Sequence, residues 1–409
     1  MAGGAFPIDR PDRRIRLLIA ARALRSVAQG ALVVDFALYL EALGWTGAHI
    51  GGVMAAGLLL GVALTVVLGP LSDRVGRKPF LLVYEALQVV AAVVALITSA
   101  PEWLAAAAVA GSFGRGGNGA TGPFSPIEQA WLAAGLAPAR IVRVFRLNAA
   151  VGFFGMGVGA MLAMLPSWLA TTLPGPLAFR PIFGFAAVAS AACLGLLALI
   201  DEPPRPPSSA TAPPERRRSE TRNLLGLMSA NALNGLGIGM VGPFIAYWFH
   251  IRFGVGPARI GPVMALGFVL AGLSTIGTQR LIGRLGLVDA IVVMRILGLL
   301  CLAMLPFAPS YGVAAALHVL RGMVNRGTAG ARQALTMQLV ELDRRGLAAS
   351  LSAVSTQITR ALGPLLGGWL FDVDLLAVPF LVAGAFQTAY LVLYRRLFRG
   401  HPAARPERT

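Results

Sequence analysis

The sequence predicts an all-α membrane protein of twelve transmembrane helices in two pseudo-symmetric six-helix bundles. Three observations lead there. Hydrophobic residues make up 56% of the chain and charged residues 13%, with a mean hydropathy of +0.71. Twelve apolar runs each approach the ~20 residues a helix needs to cross a bilayer. Basic residues gather almost wholly on alternate loops. A soluble globular chain would balance its apolar and charged fractions more evenly, so that class is excluded.

The elements follow in order. A first run, near 17–41, is too long for a signal-peptide core and is interrupted by Arg22, Arg25 and Asp35, so it reads as a retained span without a cleavable leader. Runs near 47–69 and 79–100 flank a short charged turn. A fourth, near 103–123, leads into GPFSPIEQAW, where Pro123 and Pro126 predict a break, a bend or gate, and a following interfacial helix. Runs near 141–165 and 178–200 complete a first half of residues 1–200. Residues 201–222, DEPPRPPSSATAPPERRRSETR, are too rich in proline, serine and charge to stay in hydrocarbon, and predict a cytoplasmic linker. The second half, residues 223–409, holds runs near 223–249, 258–279, 287–307, 310–336, 346–371 and 375–398.

Charge orients this plan. One side collects Arg10, Arg13, Arg14, Arg16, the 74–78 turn, Arg140, Arg143, Arg205, Arg216 to Arg218, Arg222, Arg280, Arg284, Arg344, Arg345, Arg395, Arg396 and Arg399. The other receives Arg180, Arg252 and Arg259. The positive-inside rule then places both termini in the cytoplasm, which requires an even number of spans. The net charge of +17 is thus a topology signal; its arginines lack the aromatic interleaving of a nucleic-acid surface, and no nucleic-acid partner is expected. Cys193 and Cys301 lie in separate apolar runs, implying neither disulfide framework nor metal site. With no nucleotide loop, metal spacing or nucleophile triad, no cofactor, ATP-driven step or enzyme activity is expected.

Residues 69–78 read GPLSDRVGRK. Glycines permit a tight turn, Asp73 can satisfy helix N–H groups, and Arg74, Arg77 and Lys78 favour the cytoplasmic face. This G-x-L-x-D-R-x-G-R-K order resembles the loop between helices 2 and 3 of the major facilitator superfamily, with Gly69, Leu71, Asp73, Arg74, Gly76, Arg77 and Lys78 at its defining positions. The resemblance implies two bundles rocking about a midplane site, with Gly69, Asp73, Arg74, Gly76, Arg77 and Lys78 as a gating loop. The second half echoes the first, LIGRLG at 281–286 against LSDRVG at 71–76, and FIAY at 244–247 against FALY at 36–39. In that copy Gly283, Leu287 and Val288 stand where the first has Asp73, Arg77 and Lys78, so the signature is intact only in the first half.

Charges inside spans are costly and normally face a partner or a wet cavity. Asp35 lies about 15 Å along its helix from Arg25. Desolvation favours the neutral form of such a carboxyl and a nearby guanidinium the ionised form, a competition suited to a proton carrier; a structural ion pair or an acid at the outer mouth are the alternatives. RGGNGATG at 115–122 resembles the superfamily's helix 4 motif R-x-x-Q-G-x-G-x-A, with Asn118 in place of glutamine and Thr121 and Pro123 departing from it. In proton-coupled relatives that arginine takes part in proton transfer, so the resemblance makes Asp35 and Arg115 a coupling pair; bonding of Arg115 to helix carbonyls is the alternative. RGMVNRGTAG at 321–330 repeats the theme, and Arg25, Asn118, Arg321, Asn325 and Arg360 are cavity candidates. If the arginines converge, the cavity attracts carboxylate or phosphate; acids such as Asp35, Glu85, Glu128 or Glu341 could instead neutralise them. GPLLGG at 363–368 resembles a glycine-proline motif that drug:proton antiporters carry in helix 5, although GFFGMG at 152–157 lacks the proline.

The function expected is secondary active transport of a small organic solute by alternating access, proton-coupled, with drug or metabolite efflux as one form. An organic-anion or metabolite carrier with an arginine-rich cavity is the alternative. A non-transporting membrane sensor or assembly factor is the reading from another class. The expected setting is a bacterial inner membrane, with a small-molecule solute, protons and the lipid bilayer as partners of a monomer.

Overall fold

The computed structural model describes residues 12–114, 122–133, 138–201, 214–329 and 345–398, with isolated positions 136, 332 and 335. Arg115 and Asn118 therefore lie outside the described residues. The first half contains α1 (Arg13–Ala42), α2 (Gly47–Val75), α3 (Lys78–Ile97), α4 (Pro101–Gly111), α5 (Ser125–Ala133), α6 (Pro138–Leu162), the short α7 (Leu165–Leu169) and α8 (Arg180–Ala198). The second contains α9 (Pro214–Val241), α10 (Ile245–Phe253), α11 (Pro257–Leu285), α12 (Leu287–Met304), α13 (Tyr311–Gly327), α14 (Arg345–Asp372) and α15 (Val378–Phe398). α9 begins at Pro214, so its first turns fall within the stretch read as linker.

Among the described residues, nine helical stretches are long and apolar enough to cross a bilayer. The three other expected spans fall on α4, whose 11 residues end just before the undescribed 115–121, on the 17-residue α13, and on α14, diluted by Ser, Thr and Arg. The expected break after helix 4 is present, since α5 starts at Ser125. It packs inward, burying Ile127, Trp131 and Leu132 among side chains of α1, α3 and α8.

Helix ends follow local chemistry. Thr46 caps α2 by accepting the His49 N–H, Ser310 caps α13, and prolines sit in the first turn of α3, α4, α8 and α11, where no intrahelical donor is lost. The turns after α2 and α11 match closely. Gly76 has φ 123° and ψ 159°, Gly286 has φ 83° and ψ 165°, and each amide bonds the carbonyl four residues back, on Ser72 and Ile282. Only glycine adopts this backbone without strain, which explains the repeat of Gly76 at Gly286.

The core distinguishes the two ends of the molecule. At the end carrying Thr46, buried residues of both halves form one continuous cluster, from Ala28–Leu40 and Met156–Ala163 through Phe244–Phe249, Ile260–Ala271 and Phe380. At the end carrying Lys78, among the described residues, there are two larger separate clusters and a small one of Leu224 with Leu351. One of the larger two unites Ile15, Leu81, Trp131 and Leu197; the other unites Leu227, Val288, Tyr390 and Phe398. Among the described residues the halves thus share one core at the Thr46 end and have separate cores at the Lys78 end.

Candidate functional site

The seam between the halves is built where small residues let backbones meet. α2 lies along α14 and α6 along α11. A Cβ on Gly51 would overlap the Pro364 carbonyl, whereas one on neighbouring Gly52 would meet open space. A Cβ on Gly261 would stand 2.5 Å from the Ala160 carbonyl oxygen, and one on Gly272 would stand 3.4 Å from Phe153. Such approach is how membrane helices gain dispersion contact without a hydrophobic drive.

Three polar contacts close the Thr46 end of this seam. Asp372, the last residue of α14, accepts the backbone N–H groups of Gly47 (2.6 Å) and Ala48 (2.8 Å) at the start of α2. A carboxylate there satisfies orphan donors and complements the positive helix end. His250 Nε2 of α10 lies 3.3 Å from Glu41 Oε2 of α1. The Ala258 N–H of α11 donates to Ser167 Oγ of α7 at 3.1 Å.

Inside the first half, Arg25 is engaged by two acids. Its guanidinium lies 2.6 Å from Glu85 Oε1 and 3.1 Å from Glu128 Oε2, and all three side chains are at most 5% exposed. Arg22, also buried, has Glu128 and Arg25 as electrostatic neighbours, so two guanidiniums offset two carboxylates. Arg25, a cavity candidate by sequence, is therefore held in an intra-bundle cluster joining α1, α3 and α5. Lys78 Nζ donates to the Ala198 carbonyl at 2.8 Å, tying the start of α3 to the end of α8. Of Gly69, Asp73 and Arg74, only the backbone in the last turns of α2 is described.

Asp35 is different. It is 2% exposed, flanked by fully buried Val34 and Phe36, and neither carboxylate oxygen has a hydrogen-bond partner among the described residues. Phe36 packs edge-on against Phe113, and Gly114, the last described residue before Arg115, packs on Phe36.

In the second half, Asn325 packs against Gly298 of α12, towards the neighbouring helix of its own bundle. Arg295 donates to Asn234 Oδ1 at 3.2 Å and stacks over Tyr390, joining α12, α9 and α15. Arg321 is partly buried on α13, its Nε without a partner among the described residues, with Cys301 of α12 nearby. The backbone of Arg360 on α14 lies against Gly239 of α9.

Three residues of the seam were not singled out in the sequence. Glu41 and His250 had no motif around them, and Asp372 closes a helix end like many others.

No curated protein matches the chain significantly in sequence. The sequence profile of the Major Facilitator Superfamily matches residues 18–312 and 227–409. Among solved structures, a point mutant of the nucleoside transporter NupG is similar at 13% identity and TM-score 0.74, over 94% of this chain and 99% of that one. A D-xylose-proton symporter is similar at 13% identity and TM-score 0.71, over 94% and 97%. A bacterial homologue of the human lysosomal transporter Spinster, in an inward-facing and unoccupied conformation, is similar at 15% identity and TM-score 0.65, over 95% and 96%. With a profile that spans both halves and a helical architecture shared with transporters of this type, the chain belongs to the Major Facilitator Superfamily and is a membrane transporter.

Proposed function

We propose that the protein couples movement of a small organic solute to protons, with residues 1–200 and 223–409 as the moving halves. Asp35 carries the proton. The observation behind this reading is its isolation: a buried carboxyl with both oxygens unpartnered among the described residues. An ionised carboxylate left so would cost several kcal/mol, and binding a proton removes that cost. Loading and release then follow the alternating wetting of the site, and Arg115, following Gly114 in the chain, serves as the group that displaces the proton. A D-xylose-proton symporter of similar fold supports the reading.

The positive-inside pattern supports placing the Lys78 end in the cytoplasm of a bacterial inner membrane, with both termini there. The split cores then correspond to an inward-open monomer that loads or releases solute on the cytoplasmic side, and efflux uses that opening for loading.

The test is proton movement in liposomes with the full-length protein. A solute gradient should drive a change in internal pH for wild type, and Asp35→Asn should abolish it while counterflow exchange of solute persists. Undiminished solute-driven proton movement in Asp35→Asn would sink the assignment.

A further inference from the structure

Arg326 of α13 places its guanidinium carbon 4.5 Å from the centroid of the Phe268 ring on α11. Phe268 is fully buried and belongs to the core cluster shared by both halves. Its neighbours in α11 form the seam: a Cβ on Gly157 of α6 would stand 3.4 Å from the Ala265 carbonyl oxygen and 3.1 Å from Val269. α11 and α13 both start at the Thr46 end, where the Tyr311 hydroxyl donates to the Arg259 carbonyl. Arg326 thus lies about 22 Å along its helix from that end. Gly272, the deepest of these seam contacts on α11, lies equally far along its own helix. Arg326 is partly exposed, at the depth where the joined core gives way to two.

Its charge is not offset by any acid among the described residues. No carboxylate there lies within ion-pair distance of Arg326, and Arg321 and Arg360 are neighbours of like charge. The acids of this half whose side chains are described sit at helix ends: Asp289 in the first turn of α12, Asp372 and Asp374 around the end of α14. An aromatic face offers a guanidinium less than its desolvation costs. The ring holds the guanidinium carbon 4.5 Å from its centroid, and a π face does not neutralise the charge. A planar fork of donors fits a carboxylate or phosphate through two parallel bonds.

We propose that Arg326 is a specificity-determining residue of the transport site, and that the solute is an organic oxyanion bound through the N–H edge of this guanidinium. Resting on the transport reading above, the proposal names its substrate class. An oxyanion is the counter-charge this half lacks among its described residues.

The experiment uses purified full-length protein in detergent, where no gradient is needed. Thermal stability is measured with citrate, benzoate and glycerol 3-phosphate as oxyanion probes, and with tetraphenylphosphonium and glucose as cationic and neutral ones. At least one oxyanion should raise the Tm, and the carboxylate and phosphate arms separate the two headgroups. Arg326→Gln should weaken that oxyanion at least tenfold while the unliganded protein stays monodisperse. Should Arg326→Gln fail to fold, Arg326→Lys, which keeps the charge and loses the fork, should still bind at least threefold more weakly than wild type. Stabilisation by the cation alone, by the neutral probe alone or by nothing in the panel overturns the proposal, as does unchanged oxyanion affinity in either variant. Asp35→Asn should retain the oxyanion response, so loss of proton coupling with intact oxyanion binding counts against Asp35 only.

Discussion

His250 and Glu41 meet across the two halves of the transporter, with Nε2 3.3 Å from the Glu41 carboxylate and Nδ1 2.9 Å from the Val255 carbonyl. Both partners are acceptors. Only a ring protonated on both nitrogens donates to both, so the contact is complete in the imidazolium form. Tyr247 on α10 has Glu41 and Asp372 as electrostatic neighbours, and Arg252 follows on the same helix.

Removing either partner should therefore loosen that end. Spin labels at the ends of α1 and α10 should report a longer mean distance in His250→Ala and in Glu41→Ala than in wild type; an unchanged distance in both would show that the contact does not help to hold the end closed.

Asp372 closes the same end differently, by accepting two amide protons of α2 from the opposite half. Asp372→Ala should remove about 1 kcal/mol from the closed form, roughly a fivefold shift in its population. Faster labelling of Ala48→Cys by a membrane-impermeant maleimide in the Asp372→Ala background would register the shift, and equal rates would refute it.

Gly51 and Gly52 make a matched pair of tests. A side chain on Gly51 meets the Pro364 carbonyl across the seam, and one on Gly52 meets nothing. Gly51→Val should hold the Thr46 end open and stop transport, whereas Gly52→Ala should transport like wild type. Equal activity of the two variants would show that the seam does not close to this distance during the cycle.

The buried cluster of Arg25, Glu85 and Glu128 joins three helices of the first half. Glu85→Gln leaves a buried guanidinium with one acid instead of two, and breaking a buried pair costs about 3–5 kcal/mol. The Tm of the purified variant should fall by several degrees. Arg25→Met with Glu85→Leu should cost less than Glu85→Gln alone, a comparison that fails if the cluster serves only function.

Much of the fold was legible because the bilayer restricts the solutions. Runs of ~20 apolar residues and one-sided arginines are strong signals, and the 71–76 and 281–286 repeat reappears as the paired turns at Gly76 and Gly286. The site was less legible. Arg25 and Asp35 both read as intramembrane charges, yet Arg25 is joined to Glu85 and Glu128, 60 and 103 residues away in sequence, while Asp35 has no partner among the described residues. Asn325 sits in a motif that pointed to the cavity, but the α12 backbone opens a space for it at Gly298. A helix contains residues on every face, and only its packing decides which of them turn towards a common centre.

The split core at the Lys78 end also sets how solutes on the two sides compete. In the proposed inward-open form, a molecule arriving from that end meets a reachable site, its binding rate limited by diffusion and desolvation. One arriving at the Thr46 end sees only the fraction of transporters whose seam has parted, and its apparent affinity falls by that same fraction. Two chemically identical solutes would thus show unequal half-saturation on opposite faces of the membrane, and the ratio of the two values would measure the free energy holding Asp372, Glu41 and His250 in place.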